Sequence, residues 1–161
     1  MKSWGEGLGY IEDLRKIVGH RPLILVGAVA VIVDDSGRIL LEQRRFPKET
    51  WGLPGGLMEL GESTEEVAKR ELLEETGLTV NDLKLINVYS GANHFVKAEN
   101  GDEFYVVTVA YYTENFEGKV TVDKRESISF EFFEPEKLPS KMVKSHKTII
   151  EEYLMKHAKH G

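Results

Sequence analysis

Between Gly55 and Leu78 the chain reads GGLMELGESTEEVAKRELLEETGL, a span with seven glutamates. An ordinary exposed helix alternates signs, with Lys or Arg four residues after Glu. Here the carboxylates gather instead. On a helix turning about 100° per residue, with Val67 at zero, Glu71, Glu74 and Glu75 fall at about 40°, 340° and 80°. They share one face. Three carboxylates at that spacing repel one another unless a proton or a cation lies between them. Oxygen-only ligands suit a hard divalent cation such as Mg²⁺ or Mn²⁺, which takes further ligands from a phosphate. Arg70, four residues after Glu66 and four before Glu74, is placed to steady the face. Leu72 and Leu73 are expected to turn toward a sheet.

The elements that must position this face can be read around it. Ser63 and Glu66 form a capping box that starts the helix, and Gly77 stands where a left-handed cap would end it. Phe46 to Gly61, with Pro47 and Pro54, reads as a loop. In it Gly55 and Gly56 allow a main-chain carbonyl to approach a cation and leave room for a phosphate. Upstream, Leu23 to Val33 is an apolar run suited to a strand buried on both faces. Asp34-Asp35-Ser36-Gly37 marks a turn, and Ile39 to Arg45 is expected as the returning strand of a hairpin. Downstream, strands are expected over Leu83–Tyr89, Phe104–Thr113, Val120–Val122 and Ser127–Phe133. A hairpin turn is expected at Asn100-Gly101-Asp102. Helices over Leu8–Val18 and Val143–Leu154 bracket the chain, so the fold class is α+β: a mixed sheet between helical layers.

Gly56, five residues, Glu62, seven residues, then Arg70-Glu71-Leu72-Leu73-Glu74-Glu75-Thr76-Gly77-Leu78 resembles the box of the Nudix hydrolases without a departure. That resemblance implies an α/β/α sandwich and hydrolysis of a nucleoside diphosphate linked to a group X, giving a mononucleotide and phosphorylated X. It implies Mg²⁺ or Mn²⁺ as cofactor. By position, Glu71, Glu74 and Glu75 become the metal and base cluster, Gly55 offers its carbonyl, and Glu62 and Arg70 tie loop to helix. Glu126, just before a strand, stands where many relatives supply a further ligand or base. Its plain alternative is an exposed acid paired with Lys124 or Arg125. The chain divides into an N-terminal helical extension, residues 1–22, and a Nudix domain, residues 23–161.

Composition narrows the partners. The formal net charge is −6 over 161 residues, and Lys and Arg are scattered, so a polymeric nucleic acid is not the expected ligand. A small nucleotide is. With no cysteine, neither a disulfide framework nor a zinc–thiolate site can form. No apolar run is long enough for a membrane, and a cytoplasmic setting is expected. The first helix either covers the sheet or packs on a second subunit, so a homodimer stays open.

Arg44 and Arg45 end a strand, and alternation sends at most one of them to substrate phosphate. Trp51 and Phe95, with Tyr89 and Tyr105, are candidates to stack on a base. Their plain reading is packing, and weak discrimination among bases follows if stacking is all there is. His94, His146, His157 and His160 are read as surface residues. The substrate itself is not fixed by the box. ADP-ribose-cleaving relatives tend to carry a proline about sixteen residues after it, and dinucleoside-polyphosphate enzymes a tyrosine. Gly91 to Val96 has neither, which leaves a nucleoside triphosphate or an NDP-linked small molecule. The alternatives are a Nudix-like sensor that binds without cleaving, which the intact glutamates disfavour, and RNA 5′-end hydrolysis, which the acidity disfavours.

Overall fold

A computed structural model describes residues 9–121 and 127–158. Strand β1 (Leu23–Ile32) lies at the centre, because its apolar side chains supply both faces. Ala28, Ala30 and Ile32 point to one side and Val29, Val31 and Val33 to the other, as a period of two requires. The first set meets helix α2 (Thr64–Thr76) through Val67, Ala68 and Leu72. The second meets Ile149, Ile150 and Tyr153 of helix α3 (Lys144–Lys156). Each large side chain buried in these clusters contributes about 1.5–3 kcal/mol.

The strands that follow β1 are β2 (Ile39–Arg44), β3 (Thr50–Gly52), β4 (Gly55–Leu57), β5 (Thr79–Val80), β6 (Lys84–Tyr89), β7 (Phe95–Lys97), β8 (Glu103–Thr113), β9 (Phe116–Glu117) and β10 (Ser127–Phe133). One sheet runs β4-β1-β8-β6, with β7 also on β8; a second runs β10-β2-β3; β5 and β9 form a short pair. Parallel pairing of β1 with β8, from Leu23↔Phe104 to Ile32↔Thr113, makes the first sheet mixed. Helices on both sides complete an α/β/α sandwich of the α+β class. Helix α1 (Tyr10–Val18) docks against it, with the Tyr10 N–H bonded to Glu59 at 2.9 Å.

Several expectations need correcting. The β1–β2 hairpin does not form a ladder: only Val33 and Ile39 pair. Both edges of β1 are already taken, by β4 and β8, so β2 can pair only in the other sheet. The loop before α2 contains β3 and β4, since its glycines let Gly55 and Gly56 lie antiparallel on Val29 and Ala28. Val120 lies outside any strand, the nearby pairing being made by β9, and Val122 lies outside the described residues. The turn at Asn100–Asp102 does join β7 to β8, with Phe95 opposite Tyr105 and Lys97 opposite Glu103.

Candidate active site

Helix α2 begins as its capping box directs. The Glu66 N–H donates to Ser63 Oγ at 3.1 Å, and the Ser63 N–H donates to Glu66 Oε1 at 2.8 Å. It ends at Gly77, whose φ of 80° is the left-handed conformation and whose N–H reaches Leu73 O at 2.9 Å. Thirteen residues between these caps fix the rotation of the helix over the sheet. That rotation buries Leu72 and leaves Leu73 53 % exposed, contrary to the expectation that both pack. The packed face holds Val67, Ala68, Leu72, Glu75 and Thr76, so the carboxylate face overlaps the buried one. Glu75 is 7 % exposed, and Glu71 and Glu74 lie beside it at the rim.

Arg70 organises that rim. Its Nε and Nη2 hold the two oxygens of Glu62 at 2.5 and 3.0 Å, a two-pronged pair that ties the preceding loop to the helix. The Nη1 group lies 3.3 Å from Glu71 Oε2 and 3.4 Å from Glu74 Oε1. Burial works against the Arg70 charge, but the Glu62 hydrogen bond and the charges of Glu71 and Glu74 outweigh it and raise its pKa. Glu62 Oε1 also accepts the Glu59 N–H at 2.9 Å, which curls the loop.

The glycines before the helix are close-approach positions. A Cβ on Gly55 would stand 2.1 Å from Ala28 O, and one on Gly56 would stand 2.2 Å from Glu71 Oε2. Either methyl would collide. Gly56 thus lets the Glu71 carboxylate lie against main chain, where a carbonyl and a carboxylate can face one ligand. Among the described residues no three His, Asp or Glu side chains converge as a finished metal cage, because Arg70 draws Glu71 and Glu74 to itself. The donors nevertheless fit a hard divalent cation: carboxylates at i, i+3 and i+4, and main-chain oxygens beside two glycines.

A cleft of about 550 Å³ opens next to this cluster. Glu75, Gly55 and Gly56 line it together with Arg44 and Arg45. Both arginines reach it because β2 ends at Arg44, so strand alternation no longer governs Arg45. Trp51 does not line the cleft; it packs edge-on against Phe133 with ring centres 4.8 Å apart. Phe95 points to the other face of its strand, against Tyr105 at 5.2 Å, while its neighbour Val96 lines the cleft. Tyr89 donates to Glu152 instead. Phe46 and Phe104 are the aromatic rings that do line it. Glu126 lies outside the described residues.

Two lining residues are not among the site residues expected from the sequence. Glu42 is 5 % exposed, accepts a hydrogen bond from Ser127 Oγ, and lies 3.9 Å from Arg44 Nε. His146, expected at the surface, is 8 % exposed on the first turn of α3, and its Nδ1 accepts the Leu53 N–H at 2.9 Å. Burial above all, then the charges of Arg44 and His94, hold its pKa well below the usual histidine value. A charged residue inside an apolar strand run was the available signal for Glu42; nothing local marks His146.

The NUDIX domain family model matches residues 24–153, which spans the cluster, the cleft and all three packed layers. The chain belongs to the Nudix family. It is 34 % identical over 149 residues to an ADP-ribose pyrophosphatase of Methanocaldococcus jannaschii, covering 89 % of this chain and 80 % of that one. It is 47 % identical over 58 residues to the oxidized purine nucleoside triphosphate hydrolase of Danio rerio, covering 35 % of this chain and 37 % of that one. The crystal structure of a MutT NUDIX hydrolase from Burkholderia pseudomallei superposes with a TM-score of 0.70 at 29 % identity, over 81 % of this chain and 98 % of that one. As a Nudix hydrolase, the protein acts on phosphoanhydride bonds, and members of the family generally use divalent metal ions. Among the described residues no helix is long and apolar enough to cross a membrane.

Proposed function

We propose that this Nudix hydrolase cleaves a nucleoside diphosphate linked to a group X, either a nucleoside triphosphate or an NDP-linked small molecule, to a mononucleotide and phosphorylated X. One observation carries the reading. The Arg70-held carboxylates and the Gly55–Gly56 main chain adjoin a cleft that Arg44 and Arg45 also line. Acceptors for a cation and donors for phosphate therefore meet at one place. Glu71, Glu74, Glu75 and the Gly55 carbonyl would hold Mg²⁺ or Mn²⁺. The bound ion would neutralise the diphosphate and lower the pKa of a water.

The remaining work belongs to side chains and backbone. Arg44 and Arg45 fit phosphate oxygens with their planar forks. Gly56 keeps the approach to Glu71 open. Glu62 anchors Arg70, so that the guanidinium can release part of its hold on Glu71 and Glu74 without leaving the site. Glu71 is the first candidate to take the proton from the attacking water, with Glu126 as the other. The activities for which these relatives are named, on ADP-ribose and on oxidized purine triphosphates, both fall inside the NDP–X class.

The test is a panel of nucleoside triphosphates and NDP-sugars incubated with protein and Mg²⁺, with products separated by charge. Mononucleotide and phosphorylated X are the expected products. Tight binding of a nucleotide with no turnover across the panel would favour the sensor reading instead.

A further inference from the structure

His146 has one ring nitrogen committed and the other available. The Leu53 N–H donates to Nδ1, so that atom carries no proton, and in the neutral ring the proton is on Nε2. Among the described residues His146 makes no second hydrogen bond. Yet it lines the cleft, as do the apolar side chains of Val143, Phe104 and Val106. Gly52 brings it next to Arg44: a Cβ there would lie 2.9 Å from His146 Nδ1 and 3.3 Å from Arg44 Nε. The result is an uncharged, directional donor next to a cationic fork, both facing one cleft. Arg44 suits phosphate charge; a neutral N–H among apolar walls suits a flat polar ring.

We infer that the Nε2–H of His146 is a specificity-determining donor that reads a hydrogen-bond acceptor on the edge of the substrate's base. This rests on the NDP–X reading above. It changes the expectation that stacking alone meets the base, because a buried donor rejects a partner that also donates or offers only carbon. Two acceptors share this chemistry, a carbonyl oxygen and a ring nitrogen, and matched substrates separate them. Inosine against adenosine, and uridine against cytidine, turn a carbonyl acceptor into an amino donor. A 7-deaza purine replaces the ring nitrogen with carbon.

The experiment compares kcat/KM for these pairs, each with the same X, in the wild-type protein and in His146→Asn. Asparagine can still accept the Leu53 N–H through Oδ1 but is too short to replace Nε2–H. At least one pair should differ about 10- to 100-fold in the wild type. That ratio should fall to within about threefold in the variant, mainly through KM, with the preferred partner losing. Ratios near one in the wild type, or a ratio unchanged in His146→Asn, would overturn the inference. Should the variant fail to fold, imidazole ¹⁵N spectra of the wild type decide: Nε2–H must be the protonated site and must shift on adding the preferred mononucleotide. An unmoved signal at saturation also overturns it. Because this binding readout needs no turnover, it separates loss of the inference from loss of the hydrolase reading.

Discussion

Two guanidinium centres in this molecule have similar surroundings and do opposite things. Arg70 and Arg15 are both largely buried, and both lie next to carboxylates, with side chains 18 % and 10 % exposed. Arg15 gives its donors to main-chain oxygens: Gly19 O at 2.9 Å, Arg21 O at 2.7 Å and Glu103 O at 2.7 Å. Asp102 stands further off, at 3.5 Å, and is held also by His20 at 2.7 Å. Backbone acceptors cannot turn away, so Arg15 fastens α1 to the β7–β8 hairpin. Arg70 spreads over Glu62, Glu71 and Glu74, all on rotatable stems. A cation can compete for those carboxylates. One arginine is a rivet and the other a counterweight.

The largest effect that should separate the centres is chelation. Removing divalent ions should abolish hydrolysis and leave the melting temperature of an Arg15 variant's α1 dock unaltered; undiminished turnover in excess chelator would refute the role given to the Arg70 rim. Next, Glu71→Gln keeps shape but loses charge, and kcat should drop about 10²–10⁴-fold while circular dichroism stays native. A variant with most of its activity would remove Glu71 both as base and as ligand. Arg70→Lys and Arg15→Lys test the difference in kind. Lysine cannot reproduce either fork, so each should lose about 1–3 kcal/mol in denaturant melts, but only the Arg70 change should depress kcat beyond about tenfold. Equal kinetic losses would mean the two centres are not distinct.

The smallest effect concerns acid. The His20 hydrogen bond, against some burial and with help from Asn100 and Arg15, lowers the pKa of Asp102 below its ordinary 3.8. Because the folded value is depressed, Asp102 favours the folded state above pH 3.8, and that contribution is lost as pH falls through the lower folded value. The α1 dock should therefore loosen in acid in the wild type and show no such step in Asp102→Asn. Amide exchange of α1 as a function of pH measures it.

What could be read from the sequence divides along the same line of locality. The α2 caps, the box spacing and the ranges of the longer strands depend on neighbours within a few residues. Helix start, helix end and the five longer strands, β1, β2, β6, β8 and β10, are legible there, whereas the two- and three-residue strands are not. The partition of β1 and β2 into separate sheets was not, because it depends on β8, some eighty residues away, claiming the edge of β1. Leu73 was misjudged because the wheel places it but only the packing of Val67 and Ala68 sets which arc is buried. Glu42 is marked locally as a charge in an apolar strand run, but its pairing with β10 is not, and no local pattern encodes the α3 contact of His146 with Leu53. Trp51 illustrates the reverse: its indole suggests stacking on a ligand, yet β3 turns it onto Phe133.

The cleft is lined from β1, the end of β2 and the residues after it, β4, Glu75 of α2, the β7–β8 hairpin and the start of α3, so segments far apart in the chain share its walls. No partly unfolded form that has shed α3 or β8 keeps the whole site. A bound nucleotide therefore couples to global rather than local opening, and stabilises the fold by RT ln(1 + [L]/Kd), about 2.7 kcal/mol at a hundred times Kd. Saturation would slow hydrogen exchange in the most protected core strands as well as in the lining loops. Cellular nucleotide supply would then act on this enzyme twice, as the material it turns over and as a determinant of how long each copy survives proteolysis.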